Sequence, residues 1–309
     1  MRILVSGSTG FVGTALVKTL EGQGHTVVPL VRGGAARRDA ATVHAKGHEE
    51  NVAWDPVTGR FDAAGAEGAD ALVHLAGASI ADGRWNAARK ELLRTSRIDA
   101  TRHLIGALGK LQRPPRVIVA ASAIGYYGDR GEETLTEASA PGTDFLPEIC
   151  RGWEAEAARA ALFGARVVNL RSGIILAAHG GALPRMVLPF KLGAGGRLGS
   201  GRQWMSWVTL RETISIIQFA LTTPGLAGPV NVVTPNPVRN TEFTKVLAKT
   251  LHRPAMFPAP AFALRLALGE MADALLLASQ KVMPAKLADS GYRFSQPDLA
   301  GALADVLRK

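Results

Sequence analysis

The strongest constraint in this sequence is a glycine-rich turn set directly between an apolar run and an amphipathic one. Ile3-Leu4-Val5 leads into Gly7-Ser8-Thr9-Gly10-Phe11-Val12-Gly13, after which Val12, Ala15, Leu16 and Leu20 recur at helical spacing. This order predicts a strand, a tight turn and a helix. The glycines have separate uses: the backbone must turn sharply, a ligand must approach without meeting a Cβ, and the helix must pack closely on its strand. The free N–H groups at the start of such a helix face an anion, and a diphosphate has the matching shape. Glycines at this spacing are weak evidence alone; their place in the first β-α unit makes them strong.

The same alternation continues along the chain. Short apolar runs at His25–Val31, Asn51–Trp54, Ala71–Leu75, Val117–Ala121 and Arg166–Leu170 read as strands. Between them, Trp85–Leu111 reads as one long helix stopped by Pro114-Pro115, and Leu146–Phe163 as another. Unbroken apolar strands separated by helices predict a parallel sheet covered on both faces. Past Gly173 the texture becomes loop-rich. Thr209-x-x-Glu212 reads as a capping box, Asn240 as the cap of a helix to Leu251, and Phe262–Ala278, Pro284–Ser290 and Pro297–Leu307 as helical pieces. The expected fold is α/β, a Rossmann-type doubly wound parallel sheet with a smaller C-terminal substrate lobe. The sheet domain is assigned to residues 1–175 plus part of 203–235, and the lobe with its helical end to 176–309.

Composition narrows the setting. With 309 residues, 47% of them hydrophobic and 20% charged, the chain has ample material for a folded core. No stretch reaches the roughly 18 uncharged residues of a membrane span, and no signal-peptide hydrophobic region opens it, so a cytoplasmic protein without a membrane partner is expected. The lone cysteine, Cys150, excludes an internal disulfide and fits a reducing compartment; it reads as a buried structural thiol. The histidines lack paired metal-ligand spacing, so no metal site is expected. The net charge is +10, but the basic residues are scattered, so nucleic acid is not the expected partner.

The end of the second strand bears on which dinucleotide fits. A carboxylate there would hold a ribose 2′-hydroxyl, whereas a guanidinium binds a 2′-phosphate in a forked geometry. The chain carries Arg32, with Arg37 and Arg38 nearby, and its first acid, Asp39, comes later. NADP(H) is therefore the expected cofactor.

These motifs, with His74-Leu75-Ala76-Gly77 and Ser122–Gly128, resemble the extended short-chain dehydrogenase/reductase superfamily. Closer still, Trp54-Asp55-Pro56, Arg84-Trp85, Ser96-Arg97, Ser122-Ala123-Ile124-Gly125-Tyr126-Tyr127-Gly128, Cys150–Glu154, Arg171-Ser172-Gly173 and Trp207-Val208 resemble its atypical epimerase-family oxidoreductases. The tail, Gln280–Pro284 with Gly291-Tyr292-Arg293-Phe294, is similar to the C-terminal domain of unknown function found in that branch. The resemblance implies cofactor contacts at the turn residues Gly7 to Gly13, at Arg32, at Leu75, Ala76 and Gly77, at Glu91, and at Ile175 near the nicotinamide end; Arg97, next to Ser96 on the long helix, is placed to reach the cofactor diphosphate or a substrate acid.

Hydride-transferring members of that superfamily use a Tyr-x-x-x-Lys pair, in which the ammonium favours the phenolate. Here the only tyrosines are Tyr126, Tyr127 and Tyr292, and no lysine occurs between Lys110 and Lys191. The helix that should carry the pair reads Cys150-Arg151-Gly152-Trp153-Glu154 instead. The remaining candidates for chemistry are Ser122 and one of Tyr126 and Tyr127. Arg202, Gln203, Trp204 and Trp207 suit either a flat anionic ligand or a structural role. Two functions stay open: an NADP(H)-dependent oxidoreductase or epimerase-like enzyme for a nucleotide-sugar or small carbonyl substrate, and an NADP(H)-binding regulatory or sensor protein with little turnover. A homodimer is compatible with either.

Overall fold

The continuous apolar runs become the strands of one parallel sheet. In the computed structural model, which describes residues 1–32 and 51–308, these are β1 (Arg2–Ser6), β2 (Thr26–Val31), β3 (Val52–Ala53), β4 (Ala71–His74), β5 (Val117–Ala123), β6 (Arg166–Ser172) and β7 (Gly228–Val232). Arg37, Arg38 and Asp39 lie outside the described residues. The order across the sheet is β3-β2-β1-β4-β5-β6-β7, and every neighbouring pair is parallel. Strand order reverses between β1 and β4, and a crevice at the C-terminal ends of the strands at such a reversal is where ligands bind.

The longer helices are α1 (Phe11–Gly22), α2 (Ala87–Thr95), α3 (Ile98–Leu108), α4 (Phe145–Ala158), α5 (Leu183–Lys191), α6 (Leu210–Thr222), α7 (Asn240–Leu251), α8 (Ala261–Leu268) and α9 (Leu299–Leu307). Side chains alternate across the sheet. Ile3 and Val5 enter a core with Leu16 and Leu20 of α1 and Ile214 and Ile217 of α6, while Leu4 enters the opposite core with Leu104 and Leu108 of α3. Ile3, Leu4 and Val5 are all fully buried. Each such burial contributes about 1.5–3 kcal/mol, which is why both faces of the strand must be apolar. A further core around Leu176, Phe190, Trp207, Phe243 and Leu303 joins α5, α7 and α9 to the short parallel pair Ile174–Leu176 and Trp207–Thr209.

Three sequence expectations change. The single helix expected over Trp85–Leu111 is two, α2 and α3. The break falls at Ser96 and Arg97, where the backbone stays in the right-handed region but opens to φ −110°, ψ −59° at Arg97. There Ser96 Oγ accepts the Ala78 N–H (3.2 Å) and Arg97 Nη2 donates to the Ala78 carbonyl (2.9 Å), drawing the break against the loop after β4. Asn240 does not cap α7; its Oδ1 accepts the Leu198 N–H (2.8 Å), and Arg239 takes the cap position. The capping box is half formed. Thr209 Oγ1 accepts the Glu212 N–H (3.1 Å), but the Glu212 carboxylate turns to the C-terminal tail. Buried there, it accepts the Tyr292 hydroxyl, the Ser295 N–H and Oγ–H (both 2.9 Å) and the Gln296 N–H (3.0 Å).

At the end of β4, His74 is fully buried between Ser6 Oγ (Nδ1, 2.6 Å) and Thr101 Oγ1 (Nε2, 2.9 Å). Burial pushes its pKa from 6.5 down to about 4, so the folded protein holds it neutral. The unfolded chain takes up a proton first as pH falls. The stabilising contribution is complete above about pH 6.5 and is lost towards pH 4, by roughly 3 kcal/mol. Urea melts between these limits are expected to show the protein losing roughly 3 kcal/mol more stability than His74→Gln across the window, the variant being less acid-sensitive.

Candidate cofactor and active site

At the end of β1 the backbone turns through Gly7 with φ +71°, the left-handed region that glycine enters without strain. A Cβ at Gly7 would lie 2.9 Å from both Ala76 N and Leu75 C, and one at Gly13 would lie 2.0 Å from the Gly7 carbonyl oxygen. The turn is thus pressed against the end of β4 on one side and the first turn of α1 on the other. The Gly10 N–H donates to the Gly7 carbonyl (3.0 Å), and Thr14 Oγ1 donates to the carbonyl of buried Ser8 (3.3 Å), leaving Thr9 exposed. No side chain caps α1 and no acid occupies its first turn. The N–H groups of Phe11, Val12 and Gly13, which no helical carbonyl can satisfy, remain for an anion. A diphosphate fits this cradle.

The other expected cofactor residues gather unevenly around it. Leu75 and Ala76 touch Gly7, and the Ala76 N–H donates to Ser6 Oγ (3.3 Å). Gly77 lies beside Arg97, whose Cζ would be 3.5 Å from a Cβ at that glycine. Arg97 also donates to the Leu93 carbonyl (3.3 Å) and lies over the Trp153 ring (5.2 Å). Burial lowers its pKa, and among the described residues no carboxylate pairs with it. Phe11 packs under the Gly180-Gly181 loop, and Gly181 lies against the Ile175 carbonyl, which brings half-buried Ile175 to the same end of the sheet. Ser6 is level with Leu30, so exposed Arg32 emerges just beyond, at the turn end of the sheet. Glu91 stands apart, exposed on α2 with Arg94 3.8 Å away.

The residues expected to carry chemistry form a second cluster on β5, β6 and α4. Ser122 Oγ donates to Glu154 Oε1 (2.7 Å). The same carboxylate receives a fork from Arg171, Nε to Oε1 and Nη2 to Oε2, both 2.8 Å. Burial opposes the Arg171 charge, but the Glu154 carboxylate outweighs it and holds the guanidinium above its ordinary pKa. Arg171 lies 3.4 Å over the Tyr126 ring and donates to the Tyr127 hydroxyl (3.1 Å). Tyr127 is fully buried; its hydroxyl donates to Asn231 Oδ1 (2.7 Å), and Asn231 Nδ2 donates to the Met283 carbonyl (2.9 Å). Burial raises the Tyr127 pKa. Tyr126 differs: it is half-buried, and none of the described residues hydrogen-bonds its hydroxyl. Cys150, one helical turn before Glu154, is buried, and burial pushes its thiol up to about 12. It is therefore a neutral thiol rather than a nucleophile.

Sequence reasoning missed Glu154 and Arg171 as a pair. The available signal was the alternation Asn169, Arg171 within an apolar strand, which marks polar positions on one face. Of the residues considered for a flat ligand, Gln203, Trp204 and Trp207 are engaged structurally, and Arg202 is exposed. Trp207 is fully buried, Gln203 donates to the Leu198 and Leu276 carbonyls (3.1 and 3.0 Å), and Trp204 donates to Glu132 (3.0 Å) beneath Arg239.

Residues 3–233 match the NAD dependent epimerase/dehydratase family, and residues 259–306 match a domain of unknown function, DUF1731. The chain belongs to the NAD dependent epimerase/dehydratase family. Among particular proteins, it is 38% identical over 301 residues to epimerase family protein Mb2239 of Mycobacterium bovis, covering 97% of this chain and 96% of that one. It is 37% identical over 308 residues to epimerase family protein YfhF of Bacillus subtilis, covering 99% and 98%. The crystal structure of human epimerase family protein SDR39U1 with NADPH superposes with a TM-score of 0.87 at 33% identity, covering 99% of both chains. The resemblance read from the motifs therefore holds along the whole chain.

Gly13→Ala drives a methyl into the Gly7 carbonyl, and overpacking of this kind costs about 1–3 kcal/mol. A thermal melt is expected to show a matching loss of stability. Arg171→Met leaves the Glu154 carboxylate buried without its cation, and a loss of roughly 3–5 kcal/mol is expected in denaturant titration. A smaller loss for Arg171→Met than for Gly13→Ala would contradict the weight placed on that ion pair.

Proposed function

We propose that this chain is an NADP(H)-dependent oxidoreductase or epimerase-like enzyme of the cytoplasm, acting on a small carbonyl compound. The observation that carries the reading is the uncapped, acid-free start of α1 beside two glycines that admit no Cβ, with Arg32 at the same sheet end. In this reading residues 1–175 with part of 203–235 hold the cofactor, and 176–309 form the substrate lobe. Gly7, Ser8, Thr9, Gly10, Phe11, Val12 and Gly13 wrap the diphosphate, Arg32 takes the 2′-phosphate, and Leu75, Ala76 and Gly77 lie along the adenosine-ribose side. Arg97, a cation held only by carbonyls and an aromatic ring, takes a further anionic oxygen. Ile175 lines the nicotinamide end, and Glu91 contacts the cofactor only from the rim. NADPH in the human relative supports the choice of cofactor.

Bound there, a nicotinamide dinucleotide supplies or accepts a hydride. Tyr126 is the group to exchange the accompanying proton, because its hydroxyl is uncommitted while that of Tyr127 is taken up by Asn231 and Arg171. Ser122 and Tyr127 act as positioning residues. A small carbonyl is favoured over a nucleotide-sugar because Gln203, Trp204 and Trp207 are occupied within the fold. One observation favours the second reading, a sensor with little turnover. The positive charge over Tyr126 is already balanced by Glu154, and the Ser122 hydroxyl points its proton at that carboxylate.

Calorimetry with NADPH and NADH tests the cofactor. Arg32→Ala is expected to weaken NADPH by roughly tenfold to a hundredfold and leave NADH unchanged, the range for losing a charge-assisted hydrogen bond. Equal affinity for both cofactors before and after the substitution overturns the assignment. NADPH consumption over a panel of carbonyl compounds tests the chemistry. Tyr126→Phe is expected to lower turnover by about a hundredfold or more, and Tyr127→Phe to lower stability by about 1–2 kcal/mol. Tight NADPH binding without turnover in the unaltered protein selects the sensor.

A further inference from the structure

α8 consists of seven apolar residues and one arginine, yet none of its residues is buried. A helix of that composition is normally enclosed or lies at a boundary with an apolar phase. Phe262 and Leu266, one turn apart, are 72% and 78% exposed. The chain entering α8 runs beside the chain leaving α5: the Phe257 N–H donates to the Gly195 carbonyl (3.0 Å) and the Ala259 N–H to the Arg197 carbonyl (2.9 Å). On these segments Leu188, Leu192, Met256 and Phe257 are exposed as well. Six of the ten large apolar side chains exposed among the described residues therefore belong to two adjoining segments, too many to be scattered surface residues.

The charges indicate what covers this surface. No aspartate or glutamate occurs between Glu156 and Glu212, or between Glu242 and Glu270, so both segments carry cations alone. Asp82 and Asp273, which reach these segments from outside, are paired with Arg185 (3.1 Å) and Arg265 (2.9 Å). Among the described residues no carboxylate pairs with exposed Lys191 or Arg253. A two-fold dimer through this surface would set cations against cations. Protein hot spots favour Trp, Tyr and Arg, whereas exposed Phe and Leu beside Lys and Arg mark a helix lying in the headgroup layer of an anionic bilayer.

We propose that α8 and the end of α5 dock this protein on an anionic lipid surface. Phe262, Leu266, Phe257 and Leu192 enter the headgroup boundary, and Lys191 and Arg253 meet the lipid charge. No helix among the described residues is long and apolar enough to cross a membrane, so the contact is peripheral. The sequence expectation of no membrane partner weighed spanning segments only.

Co-sedimentation of the full chain with vesicles of phosphatidylglycerol and phosphatidylcholine, against phosphatidylcholine alone, tests this. Binding is expected to be at least about tenfold stronger with the anionic lipid and to weaken as salt rises. Lys191→Gln and Arg253→Gln are each expected to lower it about fivefold. The double variant Phe262→Ser, Leu266→Ser is expected to abolish it, with thermal melting unchanged because both side chains are exposed. No sedimentation with anionic vesicles at low salt, or equal binding to both vesicle types, overturns the proposal. So does a dimer in solution that the double variant dissociates without any vesicle binding, which would assign the surface to a second copy. Capture of an acidic protein in place of vesicles overturns it equally.

Discussion

One buried ion pair organises the C-terminal edge of the sheet. Arg171 is 3% exposed, and a cation so placed costs several kcal/mol unless a carboxylate meets it with good geometry. Glu154 does so through two parallel hydrogen bonds, the strong forked arrangement. The consequences extend outward from that contact. α4 must lie over β5 and β6 for Glu154 to reach, and Ser122 then turns its hydroxyl to the same carboxylate. The free face of the guanidinium carries Tyr126, its remaining nitrogen meets Tyr127, and through Asn231 the network reaches Met283 near the chain's end. The helix that the resemblance expects to carry a Tyr-x-x-x-Lys pair carries Cys150 and Glu154, and the Glu154 carboxylate is taken up by Arg171.

Beside this network the C-terminal module packs against the segment after β4 and against α4. Trp85 and Leu93 from the segment after β4, Ile149 from α4 and Met271 from the C-terminal module share one apolar cluster. An ion pair between Lys90 and Glu270 joins the same parts. Arg185 of α5 donates to the Ala81 carbonyl (2.8 Å) and pairs with Asp82. The Arg171–Glu154 network and this apolar cluster are buried, whereas the ion pairs at Glu270 and Asp82 lie at the surface and have little individual strength.

Much of this was legible in the sequence, for physical reasons that differ by element. The strands could be read because a parallel sheet buries both faces, which demands unbroken apolar runs such as Ile3-Leu4-Val5. The glycine turn could be read because Gly7 and Gly13 are required by local close approach, independent of the rest of the fold. The break between α2 and α3 could not, because hydrophobic spacing continues through it and the cause is a distant carbonyl, that of Ala78. Arg171 and Glu154 were visible singly, but their partnership depends on how α4 crosses the sheet. Glu212 showed the opposite error. Its spacing from Thr209 suggested a local role, and a tail about eighty residues onward competed more successfully for its carboxylate.

That carboxylate has a consequence for how the chain is inherited. The stretch matching the epimerase family and the stretch matching DUF1731 look like separable modules by their boundaries. Glu212 is 1% exposed, and among the described residues the donors to its carboxylate come from Tyr292, Ser295 and Gln296. A chain ending before that tail would lose each of these donors and uncover the helix face they lie on. The C-terminal module is therefore not a cassette that recombination could add to or strip from an otherwise finished fold; α6 bears an acid whose partners arrive only with the tail.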